Sequence, residues 1–444
     1  MKTKENLLTE NELKLVLRYI IPSMGGMIGT SLYIFADTFF IANGIGSLAL
    51  TALNISLPLF NIFNGTGLLI GIGGATFFSI CKGSGDKEKE ETVFYTSIKM
   101  GIILSIIYMI IGLIFTEKIS YLLGASAQTI EMVNNYIRTI FFFIWAFILN
   151  NIFLAFIRND GSPKLTMIAM LTSTLGNIIL DYVFIYIFRW GMFGAALATG
   201  IAPIVSLLIL SSHFFNKNNT LKLRMVKFTI FRVKEIMERG IASFITEISG
   251  GTVIFFFNIV VLKIVGDIGV AAYGVIANVA LVAVAIFNGI GQGLQPLISI
   301  NYGAQKYKRL KKIIKYGLSI ALGLGIIFYI IALVFPREIT MMFNSENIEE
   351  LTNLTVHGIR IYFSALVIMG VNMTAAITLQ SLAKIKESSI ISMLRGFVLV
   401  IIGLITLPLI FGLDGVWLTV PLAELITLVV STMIALNILR KQNS

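Results

Sequence analysis

The sequence predicts an all-α polytopic membrane protein, and both its composition and its apolar runs lead to this fold class. Hydrophobic residues make up 57% of the 444 positions, charged residues make up 13%, and the mean hydropathy is +0.89. A typical soluble domain carries about 25% charged residues. A helix needs about 20 consecutive apolar residues to cross a bilayer, so we predict twelve transmembrane helices. The apolar runs lie at 13–42, 47–80, 93–115, 132–157, 165–188, 192–215, 240–263, 268–300, 313–335, 355–380, 388–411 and 414–439.

Segments rich in charged residues, glycine or asparagine separate these runs, and such segments end apolar helices. Their basic residues also indicate an orientation, since Lys and Arg gather in the cytoplasmic loops of membrane proteins. If both termini are cytoplasmic, the inner segments hold 26 of the 34 basic residues. We therefore expect a multi-pass protein of the inner (cytoplasmic) membrane with both termini in the cytoplasm. The separating segments are 43–46, 81–92, 116–131, 158–164, 189–191, 216–239, 264–267, 301–312, 336–354, 381–387 and 412–413.

The two halves of the chain repeat each other at an offset of about 220 residues. Six helices in each half is an even number, so both halves cross the membrane in the same orientation. We predict two six-helix lobes, 1–215 and 240–444, related by a pseudo-two-fold axis along the membrane normal. A basic cytoplasmic linker, 216–239, joins them. The repeated residues are Gly71, Gly73, Ser79 and Gly83, which fall on Gly291, Gly293, Ser299 and Gly303, and Gly191, Gly194 and Leu197, which fall on Gly412, Gly415 and Leu418.

Four acidic residues lie inside apolar runs: Asp37, Asp181, Glu247 and Glu424. A carboxylate at the bilayer centre costs about 2.5–3.5 kcal/mol even on a lenient scale, so it normally faces a water-filled pathway, a partner or a bound ion. Asn177 lies one helical turn before Asp181, on the same face. The positions that correspond to this first-lobe group in the second lobe hold no acid, which favours a specialised site in the first lobe. A buried structural acid remains the alternative for each.

Glu424 calls for a different interpretation. It lies near the end of the last helix, and we expect it to pair with Arg395 of a neighbouring helix, which is a structural role.

Several function classes find no support in the sequence. One cysteine, Cys81, and two histidines, His213 and His357, offer neither a disulfide nor a transition-metal cluster. No P-loop sequence occurs, so energy should come from an ion gradient rather than from ATP. In a chain this apolar, the net charge of +11 is better explained by membrane topology than by nucleic-acid binding. No pair of nucleophile and base emerges, so we expect neither an enzyme nor a resident cofactor.

Eight short stretches occur in an order and spacing that are jointly specific. With them the chain resembles the multidrug and toxic compound extrusion (MATE) family over essentially all twelve helices, and the last two look most like its bacterial multidrug-pump branch. The stretches are Ile21-Pro-Ser, Ala36-Asp-Thr-Phe-Phe40, Gly83-Ser-Gly-Asp86, Arg158-Asn-Asp-Gly161, Asn177 with Asp181, Gly194-Ala-Ala-Leu-Ala-Thr199, Gly291-Gln-Gly-Leu-Gln-Pro296 and Asn301-Tyr-Gly-Ala304.

The resemblance implies a cation-coupled antiporter, driven by Na⁺ or H⁺, that exports organic cations and drugs by alternating access through a central cleft. It also implies a first-lobe cation site made by Asp37, Asn177, Asp181 and Thr199, which would be the metal ligands if the ion is Na⁺. All four side chains offer oxygen, which suits a hard cation or a shared proton. We expect a monomer that contacts small-molecule cargo and lipid.

Other residues are candidates for the cleft and for a conformational switch. Glu247 resembles a helix 7 acid present in part of the family, and Asn150 and Asn151 either point into the first-lobe cavity or pack between helices. Gln292 and Gln295 complete the predicted cleft. Pro22 lies about four turns before Asp37 and removes a backbone hydrogen bond. We hypothesise that cation loading changes a bend there and expels cargo, and a static kink is the alternative.

Rival functions remain at this stage. A lipid-linked oligosaccharide flippase of the related superfamily is the main alternative, although it should use a more basic cavity than these acids provide. A channel or a non-transporting receptor has less need for two lobes with acids in only one.

Overall fold

The computed structural model describes residues 7–217, 219–222, 230–344 and 348–443, with side chains described up to residue 438. Within these residues the chain forms twelve helices that are long and apolar enough to cross a membrane, which confirms the predicted fold class. They are α1 (Glu12–Gly44), α2 (Ser47–Ser84), α3 (Lys87–Leu122), α4 (Ile130–Asn159), α5 (Pro163–Ile187), α6 (Gly191–Phe215), α7 (Ile230–Val265), α8 (Asp267–Gly303), α9 (Tyr307–Val334), α10 (Glu349–Ser381), α11 (Ile385–Phe411) and α12 (Leu413–Ile438).

The helices extend beyond the predicted apolar runs mainly at the end of the bundle that carries the basic segments. We call this the inner end, following the predicted orientation. The α3 helix begins six residues before its apolar run, and the Asp86 side chain caps it by accepting a hydrogen bond from the backbone N–H of Lys89 at 3.2 Å. The last ten residues of the predicted linker belong to α7, which begins at Ile230. Residues 218 and 223–229 of that linker lie outside the described residues.

Glycines at the inner end show that the two lobes meet through equivalent contacts. A Cβ atom on Gly83 of α2 would overlap the backbone carbonyl of Ile300 on α8, and a Cβ atom on Gly303 of α8 would overlap the carbonyl of Ile80 on α2. Gly303 lies 220 positions after Gly83, and Ile300 lies 220 positions after Ile80, so the two contacts are equivalent under the repeat. Such reciprocity is the mark of a two-fold relation. The repeated glycines of the sequence are therefore the residues that allow α2 and α8 to cross in backbone contact.

Each of the two hydrophobic cores contains residues from both sides of the linker. Leu15, Tyr19 and Ile20 of α1 pack in the core of the second lobe, whereas Ile41 at the other end of α1 packs in the core of the first lobe. Ile236, near the start of α7, packs in the first-lobe core in turn. The inner ends of α1 and α7 are thus exchanged between the lobes.

Candidate functional site

The predicted cation site lies where α1, α5 and α6 pack together in the outer half of the first lobe. Gly26 and Gly29 of α1 face α5, where a Cβ atom at either position would press against Met170 or Leu171. The hydroxyl of Ser173 on α5 donates to the carbonyl of Ala202 on α6 at 2.6 Å. This close packing leaves little space between the three helices, so polar side chains that point inward are held near one another.

The α5 helix changes its winding directly after Asp181. Residues Pro163–Asp181 are α-helical, and Tyr182–Ile187 continue as a π-helix. Short π-helical segments widen one turn and occur frequently at functional sites. Asn177 and Asp181 stand one turn apart on the last regular turns, so both side chains face the interior of the lobe.

All four predicted cation ligands are buried, and most of their polar atoms lack partners. Asn177 and Asp181 are 0% exposed, and Asp37 and Thr199 are also buried. Both carboxylate oxygens of Asp181, one oxygen of Asp37, both amide atoms of Asn177 and the hydroxyl of Thr199 make no hydrogen bond in the described part of the chain. Buried polar groups without partners are rare and call for an explanation such as an ion or a proton. The two carboxylates also lie near enough to repel each other.

Two tyrosines belong to this site, and the sequence reasoning did not find them. Tyr136 of α4 is 1% exposed and interacts electrostatically with both Asp37 and Asp181. Its hydroxyl lies beside that of Thr199 without the geometry of a hydrogen bond. Tyr33 of α1 precedes Asp37 by one turn and feels the same two acids. Aromatic residues are common in these helices, so nothing in the sequence distinguishes these two tyrosines from residues that only pack.

The arrangement can hold a hard cation. Carboxylate, amide and hydroxyl oxygens are buried on three helices that pack together, and these are the ligands that such ions prefer. A bound Na⁺ or a proton would reduce the repulsion between the two carboxylates and provide partners for the unpaired oxygens. The residues present therefore fit the coupling ion that the resemblance implied, and cation binding itself stays a prediction.

Glu247 of α7 lies against α2 of the first lobe. Its Cβ atom lies near Gly65 of α2, and its carboxylate makes no hydrogen bond or ion pair with any residue that the structure describes. Asn61 of α2 contacts α7 one turn further out, at Gly251. Asn64 of α2 accepts a hydrogen bond from the Asn151 amide at 3.2 Å. Glu247 therefore stands beside a row of amides on α2 that the sequence reasoning overlooked.

The remaining cleft candidates are divided between two places. The side-chain oxygen of Asn150 is buried and has no hydrogen-bond partner among the described residues. Gln292 and Gln295 instead lie at the inner end, in hydrogen bonds to Arg158 and Asn159 of α4 at 2.8 and 2.7 Å. In this structure the two glutamines join the lobes and are not grouped with Glu247.

The structural pairing of Glu424 is confirmed. Its Oε1 accepts a hydrogen bond from Arg395 Nη2 at 2.8 Å, and its Oε2 accepts one from the Asn372 amide at 2.7 Å. This acid is therefore satisfied within the second lobe, in contrast to the acids of the first lobe.

Comparison with known families identifies the repeat. The family described as MatE matches this chain twice, over residues 22–183 and 243–406. The two matches begin 221 residues apart, which agrees with the offset of the repeated glycines and confirms the duplication.

Individual relatives extend over almost the whole chain. The multidrug export protein MepA of Staphylococcus saprophyticus is 28% identical over 417 residues, which is 93% of this chain and 90% of that protein. A solved structure described as the outward-facing conformation of a multidrug resistance MATE family transporter of the MOP superfamily superposes with a TM-score of 0.93 at 22% identity, covering 100% of this chain and 99% of that one. A MOP superfamily transporter from Pyrococcus furiosus, described as having a binding pocket of reverse polarity that suggests a different function, superposes with a TM-score of 0.89 at 22% identity over 96% of each chain. At these identities the two structures show the fold alone.

Proposed function

This chain belongs to the MatE family, and on that premise we propose that it is a cation-coupled antiporter that exports organic cations and drugs through the cleft between its lobes. The observation that carries the proposal is the group of buried, unpartnered oxygen and amide atoms of Asp37, Asn177, Asp181 and Thr199. The MepA relative is a multidrug export protein, and this supports drugs as the cargo.

The cation site supplies the driving force in this proposal. With the site empty, Asp37 and Asp181 repel each other in a dry environment, so uptake of Na⁺ or H⁺ from the outside is favourable. Coupling then requires that loading of the site changes the affinity for cargo. Tyr33 lies within electrostatic range of Asp37, Asp181 and Glu247, so it is a candidate for coupling the cation site to the cargo region.

The cleft is suited to cationic cargo. Glu247 provides a carboxylate that no described residue neutralises, and Asn61 and Asn64 provide neutral polar groups beside it. A cargo cation would pair with Glu247 while aromatic side chains accept its apolar parts. The acidic character of this region favours cationic cargo over the anionic pyrophosphate of a lipid-linked sugar.

Pro22 is placed where a bend in α1 would have an effect. The segment before it, Leu15 to Ile20, is anchored in the second-lobe core, and the segment after it reaches Ile41 in the first-lobe core. Pro22 lacks a backbone N–H, so α1 lacks one stabilising hydrogen bond between its two anchored parts. We propose that cation loading at Asp37 acts on the lobes through this weakened point.

The proposal is tested by ethidium export with the Na⁺ and H⁺ gradients collapsed separately. Export is measured as efflux from whole cells or as uptake into inside-out vesicles. We expect efflux to stop when one gradient is collapsed and to stop in the Asp37→Asn variant. The matched control is Asp267→Asn, the same change at an exposed acid at the start of α8, which should leave efflux intact. Efflux that survives the loss of both gradients and the Asp37 change would refute cation coupling. Failure to export any cation would favour the flippase.

Pro22→Ala gives a second readout. Retained cargo binding with lost transport would support a switching role, and unchanged transport would show that Pro22 is a static feature of α1.

A further inference from the structure

The tripeptide Arg158-Asn159-Asp160 at the inner end of α4 is unusual because its three buried side chains together bind both lobes and the linker. Arg158 reaches Gln292 and Asn159 reaches Gln295, both on α8 of the other lobe. Asp160 binds within the first lobe and to the start of the linker. All three residues are at most 3% exposed.

Gln295 is the centre of the contact between the lobes. Its Oε1 accepts from the amide of Asn159 at 2.7 Å, and its Nε2 donates to the hydroxyl of Thr76 on α2 at 3.0 Å. The same Asn159 accepts a hydrogen bond from Ser79 of α2 at 2.6 Å. A glutamine of the second lobe thus completes a hydrogen-bond network whose other members all belong to the first lobe. This network lies beside the crossing of α2 and α8 at Gly83.

Asp160 holds the first-lobe side of this contact in place. Its carboxylate accepts hydrogen bonds from Lys82 Nζ at 2.5 Å, from His213 Nε2 at 2.8 Å, and from the backbone N–H and the hydroxyl of Thr220. Four bonds from three segments fix the end of α4. The preceding residues are therefore presented to α8 in a defined position.

The buried charge of Arg158 disfavours contact between the two lobes at the inner end. Its guanidinium is buried, and among the described residues it makes no ion pair and a single hydrogen bond, to Gln292 at 2.8 Å. A buried charge without a counter-charge is costly, and hydration of the group would remove that cost. Separation of the lobes at the inner end would admit water to Arg158. The hydrogen bonds of the glutamines therefore favour closure of the inner end, whereas the buried charge of Arg158 favours opening.

We propose that Gln292 and Gln295 are positioning residues of an inner gate, and that with Arg158 and Asn159 they set the equilibrium between the inner-closed and inner-open states. This inference rests on the proposed alternating access. It reassigns the two glutamines from cargo contacts to the gate, and it gives a role to a sequence stretch that the cation site does not use.

The test measures the distance between the lobes directly. Lys87 at the start of α3 and Lys308 at the start of α9 are exposed at the inner end, one on each lobe, and differ by 221 positions. Spin labels on Lys87→Cys and Lys308→Cys in a Cys81→Ala background, in lipid nanodiscs without cargo or gradient, report inner opening as a longer distance. Each net hydrogen bond corresponds to about a two- to twelvefold change in an equilibrium constant. Gln295→Leu, which removes two bonds, should raise the ratio of inner-open to inner-closed molecules by roughly tenfold or more.

Three further variants make the result specific. Gln292→Leu, at a half-buried position, should act in the same direction, because it leaves Arg158 without its bond. Arg158→Met should shift the population toward the closed state, because it removes the buried charge. The control is Asn301→Leu, also on α8, whose amide donates only to the carbonyl of Leu297 within the same helix at 2.8 Å. It should leave the distances unchanged.

Two outcomes would contradict the proposed inner gate. Unchanged distances in both glutamine variants would show that these residues only pack, and equal opening in Asn301→Leu would show a non-specific loss of structure. Because no gradient or cargo enters this measurement, its failure is separate from a failure of antiport, which the efflux assay reports.

Discussion

The Arg395–Glu424 pair offers the sharpest prediction about stability, because both charges are buried inside the second lobe. The side chains are 12% and 3% exposed and are joined at 2.8 Å. Removing one partner of such a pair leaves a buried charge uncompensated, which destabilises by about 3–5 kcal/mol. We expect Arg395→Met to lower the free energy of unfolding by this amount, since Glu424 would keep only the Asn372 amide as a donor.

The size of the effect can be separated from lost packing by a double-mutant cycle. Glu424→Leu alone should also destabilise, because it leaves the Arg395 charge without its partner. The double variant Arg395→Met/Glu424→Leu removes both charges and should recover much of the loss.

The measurement is equilibrium unfolding in mixed micelles, followed by tryptophan fluorescence. A matched control is Lys14→Met, which removes an ion pair to Glu10. Because the Lys14 side chain is 71% exposed, this change should alter the free energy of unfolding by less than about 1 kcal/mol. Additive effects of the two single variants, or a loss below about 1 kcal/mol in Arg395→Met, would contradict the buried-pair reasoning.

Three other predictions follow from features described above. Na⁺ at 100 times its dissociation constant should stabilise the native protein by about 2.7 kcal/mol if Na⁺ is the coupling ion, and Asn177→Leu should abolish that stabilisation, as read from melting temperatures in Na⁺ against K⁺. Gly303→Ala should disrupt the crossing of α2 and α8 and lower the melting temperature, whereas Gly323→Ala, with nothing within 4 Å of the added Cβ, should not. Burial alone would raise the pKa of the Asp160 carboxyl, but its hydrogen bond from His213 and the charge and hydrogen bond of Lys82 hold the pKa below its ordinary value. The ionised Asp160 carboxylate therefore stabilises the folded protein above the ordinary carboxyl pKa of about 4, and this stabilisation is lost as the pH falls through the lowered pKa. The difference in melting temperature between the native chain and Asp160→Asn should shrink below about pH 4.

Apolar runs and duplicated glycines predicted most of the fold. A bilayer requires about the same length of apolar helix from any protein, so the twelve spans could be read from composition. The runs do not mark where a helix continues into water, which is why the start of α7 at Ile230 was assigned to the linker. Nor could they show that Leu15 to Ile20 pack in the core of the second lobe, because an apolar residue is suited to either core.

The acids of the site could be recognised because a carboxylate in lipid is expensive. Tyr136 and Tyr33 carried no such signal, since aromatic residues are common in these helices. The sequence predicts Gln292 and Gln295 as cleft residues, whereas the structure places them at the inner end. Their partners, Arg158 and Asn159, are more than 130 residues away in the sequence, and only the packing of α4 against α8 brings them together.

The exchange of α1 between the lobes has a consequence for how the protein is made. Leu15, Tyr19 and Ile20 are synthesised before α7 to α12, yet residues of those later helices build the core that buries them. The second lobe therefore cannot complete its interior without α1, and the inner end of α1 lacks its packing partners until α7 to α12 have been made. A chain cut within the linker should yield halves that assemble only when both are made in the same membrane, and a second half made alone should present an open apolar groove to the quality-control proteases of the cell.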